Sequence, residues 1–481
     1  MNRIHIHNRL KKIPASLVVL LILFSCSGEK PVVVAKFGKQ SITLREFRMS
    51  YLEIIKQPRI FDSEQLREEF LDELIQRRIL AQQARRLKLD SDEYLQTRIN
   101  AYRDKCLRDA HYLKVISPQI QISEADIEEA YQFTQEQRRI RHLFTETREE
   151  ADSLFQLLKS GTDFKDLARE VFKDAVLADN GGDLGWVDWA QMEYNLAMTA
   201  FRQPLDKISE PVHSQYGWHI IQVTDYRKNP LITRQQYELH RRKAKSLLEQ
   251  KIGDRMAAEQ LQSLMENTKI TVFPKVMKPV GEALEAQLKR KPSRWDAMHE
   301  MQLSDTEVHA IQTSLWDRRD EKIGEVNGRT LTVGAFISAL SFVPYDVACR
   351  SFKSALDFVF RDVAITQEAE SMGLQRSDSV KLKTALYKEY MLQAKVRKIL
   401  IKNVDVTDEE VRNIYNSKSR FQNIPYDSVK TYIRKERIKE KRRQIIPRFV
   451  REQLNGIRVE KYPERIHAYY DSVYNSASPR E

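Results

Sequence analysis

Two stretches of this 481-residue chain carry similar residues in the same order, nearly three hundred positions apart. Phe37-Gly38-Lys39-Gln40-Ser41-Ile42-Thr43, followed by Phe47, matches Val326-Asn327-Gly328-Arg329-Thr330-Leu331-Thr332, followed by Phe336. Leu71-Asp72, Gln82, Ala84 and Leu89 match Leu356-Asp357, Gln367, Ala369 and Leu374. Ser123, Ile127 and Tyr131 match Thr407, Val411 and Tyr415. The offset drifts only from 289 (Phe37 to Val326) to 284 (Tyr131 to Tyr415). An ordered repeat of this kind demands that both copies build the same supersecondary unit.

That unit reads as mainly helical. A strand at Val32–Phe37 and a turn at Gly38-Lys39 lead into helical patterns at about 43–55, 63–87 and 92–115, with Leu66, Phe70, Leu74 and Leu80 near helical spacing. Ser123 with Asp126, and Thr407 with Glu410, are capping-box starts for a further helix in each copy. Only 14 glycines occur, which disfavours a large β-sandwich or barrel. The copies part company after this point. About a hundred residues follow Tyr131 before the late helix Arg234–Asn267, whereas the late helix after Tyr415 begins near Tyr426. Both late helices carry Glu-Gln-Leu, at Glu259–Leu261 and Glu452–Leu454, and then a short β-like tail. A domain is therefore inserted into the first copy at a surface loop, where insertions are tolerated best. Each copy is expected to pack its early helices on its own late one. In the first copy Leu66–Leu89 would face Leu239, Leu247, Leu248 and Leu261, and the second copy, about 320–465, would fold alone.

The first 25 residues are a targeting segment. A basic start precedes the apolar run Leu17–Phe24, which is too short to span a bilayer but suits a signal peptide. It ends in Leu23-Phe24-Ser25-Cys26, which resembles a bacterial lipobox and marks Cys26 for lipidation. The expected division is a lipoprotein signal peptide at 1–25, a helical module at 26–137 and 228–275, an inserted domain at 138–227, a linker region at 276–320 and a second module without insert at 321–470. Cys106 and Cys349 lie in apolar helical stretches and are expected to be free thiols.

The formal charge of +12 suits anionic surfaces or acidic unfolded chains. No zinc-ligand pattern or phosphate loop supports nucleic acid or a metal, and no cofactor is implied. Arg434–Arg451 holds nine basic residues against Glu436 and Glu440. It reads as a solvated helix face, with attraction to anionic lipid headgroups as the sharper alternative.

Chemistry concentrates in the insert. Arg139-Ile140-Arg141-His142-Leu143-Phe144 is a strand with an embedded histidine. Gly161-Thr162-Asp163-Phe164, Leu167-Ala168 and Asn180-Gly181-Gly182-Asp183-Leu184-Gly185-Trp186 follow. Ile208-Ser209-Glu210-Pro211-Val212 and Tyr216-Gly217-Trp218-His219-Ile220-Ile221 close the segment. Over some 90 residues, in order and spacing, this resembles the parvulin-type peptidyl-prolyl cis/trans isomerases. The implied fold class is α+β: a four-stranded antiparallel sheet with surrounding helices, set into a mainly helical module. The flanking copies look like the client-binding modules of SurA-like and PrsA-like foldases.

The resemblance implies that His142, Asp174 and His219 are catalytic, the histidines sharing a hydrogen-bond network on adjacent strands. It implies substrate contacts at Leu184, Met192, Leu196, Phe201 and Tyr216. The family usually has phenylalanine where Leu196 stands, and serines where Phe172 and Leu177 stand. The implied protein is a lipid-anchored isomerase and foldase of the bacterial envelope, acting on exported, extended chains with X-Pro bonds. The alternative is a non-catalytic chaperone or assembly factor using the domain to hold peptides, and a structural scaffold is a third reading.

Overall fold

The computed structural model describes residues 31–57, 60–214, 217–228, 233–288, 302–421 and 423–477. The signal segment, Cys26, Tyr216 and the Lys291-Pro292 step lie outside the described residues. In chain order, the first copy opens with β1 (Val33–Phe37) and β2 (Gln40–Thr43), then α1 (Leu44–Ile55), α2 (Glu64–Arg86), α3 (Glu93–Val115) and α4 (Glu124–Thr134). The insert contributes β3 (Glu136–Thr145), α5 (Arg148–Lys159), α6 (Phe164–Val171), α7 (Ala175–Asn180), β4 (Asp183–Asp188), α8 (Tyr194–Arg202), β5 (Val212–Ser214) and β6 (Gly217–Lys228). The late helix α9 (Arg234–Glu266) and the tail β7 (Ile270–Val272) complete the first copy.

Then come α10 (Met277–Leu288) and α11 (Asp305–Ser314). The second copy follows with β8 (Lys322–Val326), β9 (Arg329–Thr332), α12 (Val333–Ala339), α13 (Tyr345–Arg350), α14 (Phe352–Ser371) and α15 (Asp378–Lys402). It ends with α16 (Asp408–Ser417), α17 (Tyr426–Gln453), β10 (Val459–Lys461) and α18 (Pro463–Ala477). The helix starts follow local chemistry. Thr43 with Glu46, Ser123 with Asp126, Thr233 with Gln236 and Thr407 with Glu410 all close capping boxes. Each satisfies two backbone N–H groups that the first helical turn leaves unpaired.

The described residues form two compact units. One holds the chain up to Arg108 and from Ile270 onward; the other holds Asp109–Lys269. In the first unit the two copies interlock. The hairpin β1–β2 is completed by β10, the tail of the second copy, with Ala35 opposite Lys461 and Phe37 opposite Val459. The hairpin β8–β9 is completed by β7, the tail of the first copy, with Ile270 opposite Val326 and Val272 opposite Gly324. Helices cross in the same way. Leu80, Ala81 and Ala84 of α2 share a core with Leu392 and Val396 of α15 and Ile446 of α17. Arg78 ties this contact by bonding Glu46 and Glu389, each at 2.8 Å.

The expected pairing of Leu66–Leu89 with Arg234–Asn267 is thus replaced: α15 is the partner of α2. Both stripes are apolar at helical spacing, and burial has no direction of its own. The stretch 276–320 is also more than a linker. In α10 and α11 Val280, Leu284, Val308 and Ile311 are all buried. Cys106 is buried and Cys349 half-buried, and among the described residues no disulfide joins them.

The second unit is built on an antiparallel sheet of four strands in the order β4-β3-β6-β5. One face is filled by Trp189, Ala197, Ala200 and Phe201 against Ile140, Ile221 and Val223. Ala130 and Phe133 of α4 and Leu248 of α9 close that core. The other face packs Leu143 and Ile220 on Leu158, Phe164 and Leu167. α9 is held to α4 by Tyr131, Tyr237 and Ala244, and by a 2.6 Å hydrogen bond from the Tyr237 hydroxyl to Glu124. Leu239, expected on the packed face of α9, is 76% exposed.

Candidate active site

β3 and β6 are the two central strands of the four-stranded sheet, and each carries one histidine. Their register sets His142 opposite Ile221 and His219 opposite Phe144, so the imidazoles are diagonal neighbours. The rings lie nearly parallel, at 16° with centroids 5.5 Å apart, and the two Nδ1 atoms are 3.3 Å apart. His219 Nε2 is 2.9 Å from the Ser214 hydroxyl on β5. Across an Nδ1–Nδ1 contact one ring donates and the other accepts, so the two rings hold opposite tautomers at this atom. His142 Nε2 is buried and, among the described residues, has no hydrogen-bond partner.

The site is dry. Burial pulls His142 down to about 4 from the usual 6.5. Burial also pulls His219 down to about 4, helped by the charge that His142 or His213 would carry. Both imidazoles are therefore neutral at pH 7. The Phe172 ring lies 5.2 Å from that of His142, and the Phe144 ring 5.2 Å from that of His219.

Two glycines make this arrangement fit. Gly182 accepts the His142 N–H through its carbonyl at 3.0 Å and sits at φ +75°; a Cβ there would meet the His142 carbonyl oxygen at 2.1 Å. Gly217 opens β6 at φ +137°, where a Cβ would meet the Thr145 oxygen at 2.5 Å. No other residue type fits both the dihedral and the space.

The comparisons with known proteins bear on this domain. Residues 119–227 match the PPIC-type PPIASE domain family, and residues 3–132 match the SurA-like N-terminal domain family. A probable parvulin-type peptidyl-prolyl cis-trans isomerase of Bordetella pertussis (strain Tohama I) is 30% identical over 175 residues, covering 34% of this chain and 67% of that one. The chain belongs to the parvulin-type peptidyl-prolyl cis-trans isomerases. The foldase protein PrsA of Bacillus subtilis (strain 168) is similar too, at 33% identity over 168 residues, 34% of this chain and 55% of that protein. A PrsA of Caldanaerobacter subterraneus aligns more broadly, at 25% identity over 304 residues, 54% of this chain and 99% of that protein. The chain spans 55% and 58% of the length of two of the PrsA relatives it matches.

Around the histidine pair of the parvulin domain, the residues expected to act divide into groups. Met192 and Leu196 are half-buried and lean on the Trp189–Phe201 core. Leu184 is on β4 and 43% exposed. Phe201 is 2% exposed and packs on Phe133 at 5.6 Å, which makes it a core residue that a bound chain would not touch. Asp174 is exposed and caps α7, accepting from the Val176 and Leu177 N–H groups at 2.9 and 3.0 Å. No hydrogen bond joins it to either histidine among the described residues.

Ser214 was not singled out in the sequence, although it lies two residues before Tyr216. A cleft of about 750 Å³ adjoins the site. Met192, Asn195 and Ser214 line one side of it, and Leu247 and Lys251 of α9 the other. Lys251 is 7% exposed, donates its ammonium to the Met192 carbonyl and lies 5.0 Å over the Trp189 ring. Burial draws this amine down to about 8.

Proposed function

We propose that this chain is a lipid-anchored peptidyl-prolyl cis/trans isomerase and foldase of the bacterial envelope. Its clients would be exported or outer-membrane polypeptides with X-Pro bonds. The observation that carries the reading is the pair of neutral, nearly parallel imidazoles, their Nδ1 atoms 3.3 Å apart, on the central strands of a parvulin sheet. Isomerisation makes and breaks no bond to the client. Its barrier is rotation about an amide with partial double-bond character, about 18–20 kcal/mol. Twisting shifts charge between the amide nitrogen and oxygen, and a buried set of fixed dipoles answers that shift without solvent reorganisation. In this reading the His142–His219–Ser214 chain supplies the dipoles, Leu184, Met192 and Leu196 form the slot for the proline ring, and Asp174 faces the amide from the end of α7. Tyr216 is the remaining substrate contact that the family resemblance assigns in this reading.

The PPIC-type domain and the PrsA and parvulin relatives support the activity. The SurA-like N-terminal family match supports a helical client-holding role. The sequence Leu23-Phe24-Ser25-Cys26 supports the anchor. The test is the rate of cis-to-trans conversion of short X-Pro peptides. The full chain should accelerate it, and His142→Ala should lower the acceleration about tenfold or more. Conversion at the uncatalysed rate by the well-folded chain would leave the second reading, a parvulin fold used only to hold peptides. Asp174, exposed and used as a helix cap, is the observation that favours that alternative. For the anchor, Cys26→Ser should release the protein from membranes. Retention of the variant through a carbonate wash would place the attachment elsewhere.

A further inference from the structure

The nine basic residues of the Arg434–Arg451 stretch do not form one solvated face. On one side of α17 the cations are neutralised within the fold. Arg434 pairs with Asp408, Lys441 with Glu410 at 2.8 Å, and Arg437 with Glu440 at 2.8 Å. The other side borders a groove of about 510 Å³ between α17 and α15. Its apolar lining is Ile401, Ile438 and Ile446, and every other lining residue is a cation. These are Arg397, Lys435, Lys439, Arg442 and Arg443. Lys435, Arg442 and Arg443 are exposed and have no carboxylate partner among the described residues. Arg397 is half-buried and bonds two neutral amide oxygens, those of Gln393 at 2.5 Å and Gln76 at 2.7 Å. Lys439 pairs with Glu436 at 3.7 Å, so Lys435, Arg442 and Arg443 carry the rim's unneutralised charge beside the isoleucines.

We propose that this groove binds an acidic amphipathic segment of another polypeptide, with its apolar side chains on the three isoleucines and its carboxylates on the rim. The spacing fits such a partner. Lys435, Lys439 and Arg442 recur on one face of α17 at helical intervals, about 1.5 Å of rise per residue. A ligand helix with carboxylates every three or four residues would meet each in turn. Lipid headgroups would answer the rim cations alone, whereas an amphipathic helix answers the cations and lays apolar side chains on the isoleucines, so a peptide uses more of the site than headgroups do. The proposal does not depend on the histidine pair or on isomerase turnover.

The experiment is fluorescence anisotropy of a labelled synthetic peptide carrying Glu and Leu at three- and four-residue spacing, titrated with the full chain. Binding is expected, weakening as salt rises because the rim is exposed. A peptide of the same pattern with Lys for Glu should not bind. The variant Lys435→Gln/Arg442→Gln/Arg443→Gln should bind the acidic peptide about tenfold more weakly, each rim pair adding a modest share. All three positions are solvent-facing, so the variant should keep the helical spectrum and the same rate on short X-Pro peptides. Ile438→Ser should weaken binding several-fold while leaving the salt dependence unchanged. Equal binding of the acidic peptide by the triple variant overturns the proposal. So does binding of phosphatidylglycerol-containing vesicles in place of the peptide, which would make the groove a lipid-facing surface. Loss of isomerase activity with peptide binding intact would count against the proline site alone.

Discussion

At His142 the neighbour that sets the chemistry is the Phe172 ring, 5.2 Å away. Burial is the whole cause of the lowered His142 value, so a smaller polar residue at 172 should admit water and return the imidazole toward its usual 6.5. NMR titration of Phe172→Ser should show this rise, and an unmoved titration would mean that another wall keeps the site dry. The sign of the linkage follows. Between pH about 4 and 6.5 the unfolded chain binds protons that the folded histidines refuse, so stability rises with pH across that window and the contribution is level outside it. Denaturant midpoints of Phe172→Ser should show a shallower slope there than those of the parent chain. Leu196 is half-buried against the Trp189–Phe201 core. Leu196→Phe is expected to raise the rate on X-Pro peptides, because a flat ring is a better wall for a pyrrolidine. Overpacking would cost about 1–3 kcal/mol. A well-folded variant with an unchanged rate would show that this wall does not limit turnover.

Strand β7 is three residues long, yet it completes the sheet of the other copy, pairing Thr271 with Glu325. β7 is an edge strand, but Phe273 donates its N–H to Ile323 of β8 at 3.1 Å, so the Thr271 N–H two residues earlier also faces the ladder, and proline there removes that donor. Thr271→Pro should destabilise that sheet by about 1–3 kcal/mol. Hydrogen exchange should quicken in Lys322–Val326 and stay unchanged in the equivalent β1 of the first copy, whose third strand is β10. If protection falls in β1 and not in β8, the crosswise pairing is wrong. The capped helix starts are the opposite case. Ser123 and Asp126 bond each other's backbone across three residues, at 2.8 and 3.2 Å, and no distant segment takes part. That is why the element starts could be placed from the chain alone, while their partners could not.

For the molecule as a whole, the interlocked copies change what should fold in isolation. Joining Arg108 to Ile270 through a short Gly/Ser linker keeps β1–β2 with β10, β7 with β8–β9, and α2 with α15. This shortened chain should melt cooperatively with its helical signal intact. A fragment starting at 302 lacks β7 and α2, and so uncovers Leu392 and Val396, now 0% and 1% exposed. It should be unfolded at 25 °C or melt at least about 10 °C lower. Circular dichroism of the two decides the matter, and a stable fragment from 302 would restore the picture of a self-sufficient second copy. The chain determined by itself the helix starts and the two histidine-bearing strands, because each is written in residues close together or in one dense run of motifs. It did not determine that β7 pairs with β8 and β10 with β1, since both tails are short and a strand ladder is made of backbone groups that every residue has. Nor did it separate Phe201, buried at 2%, from Leu184, exposed at 43%. Both are apolar, and only the assembled sheet and helices decide which apolar side chain loses its water.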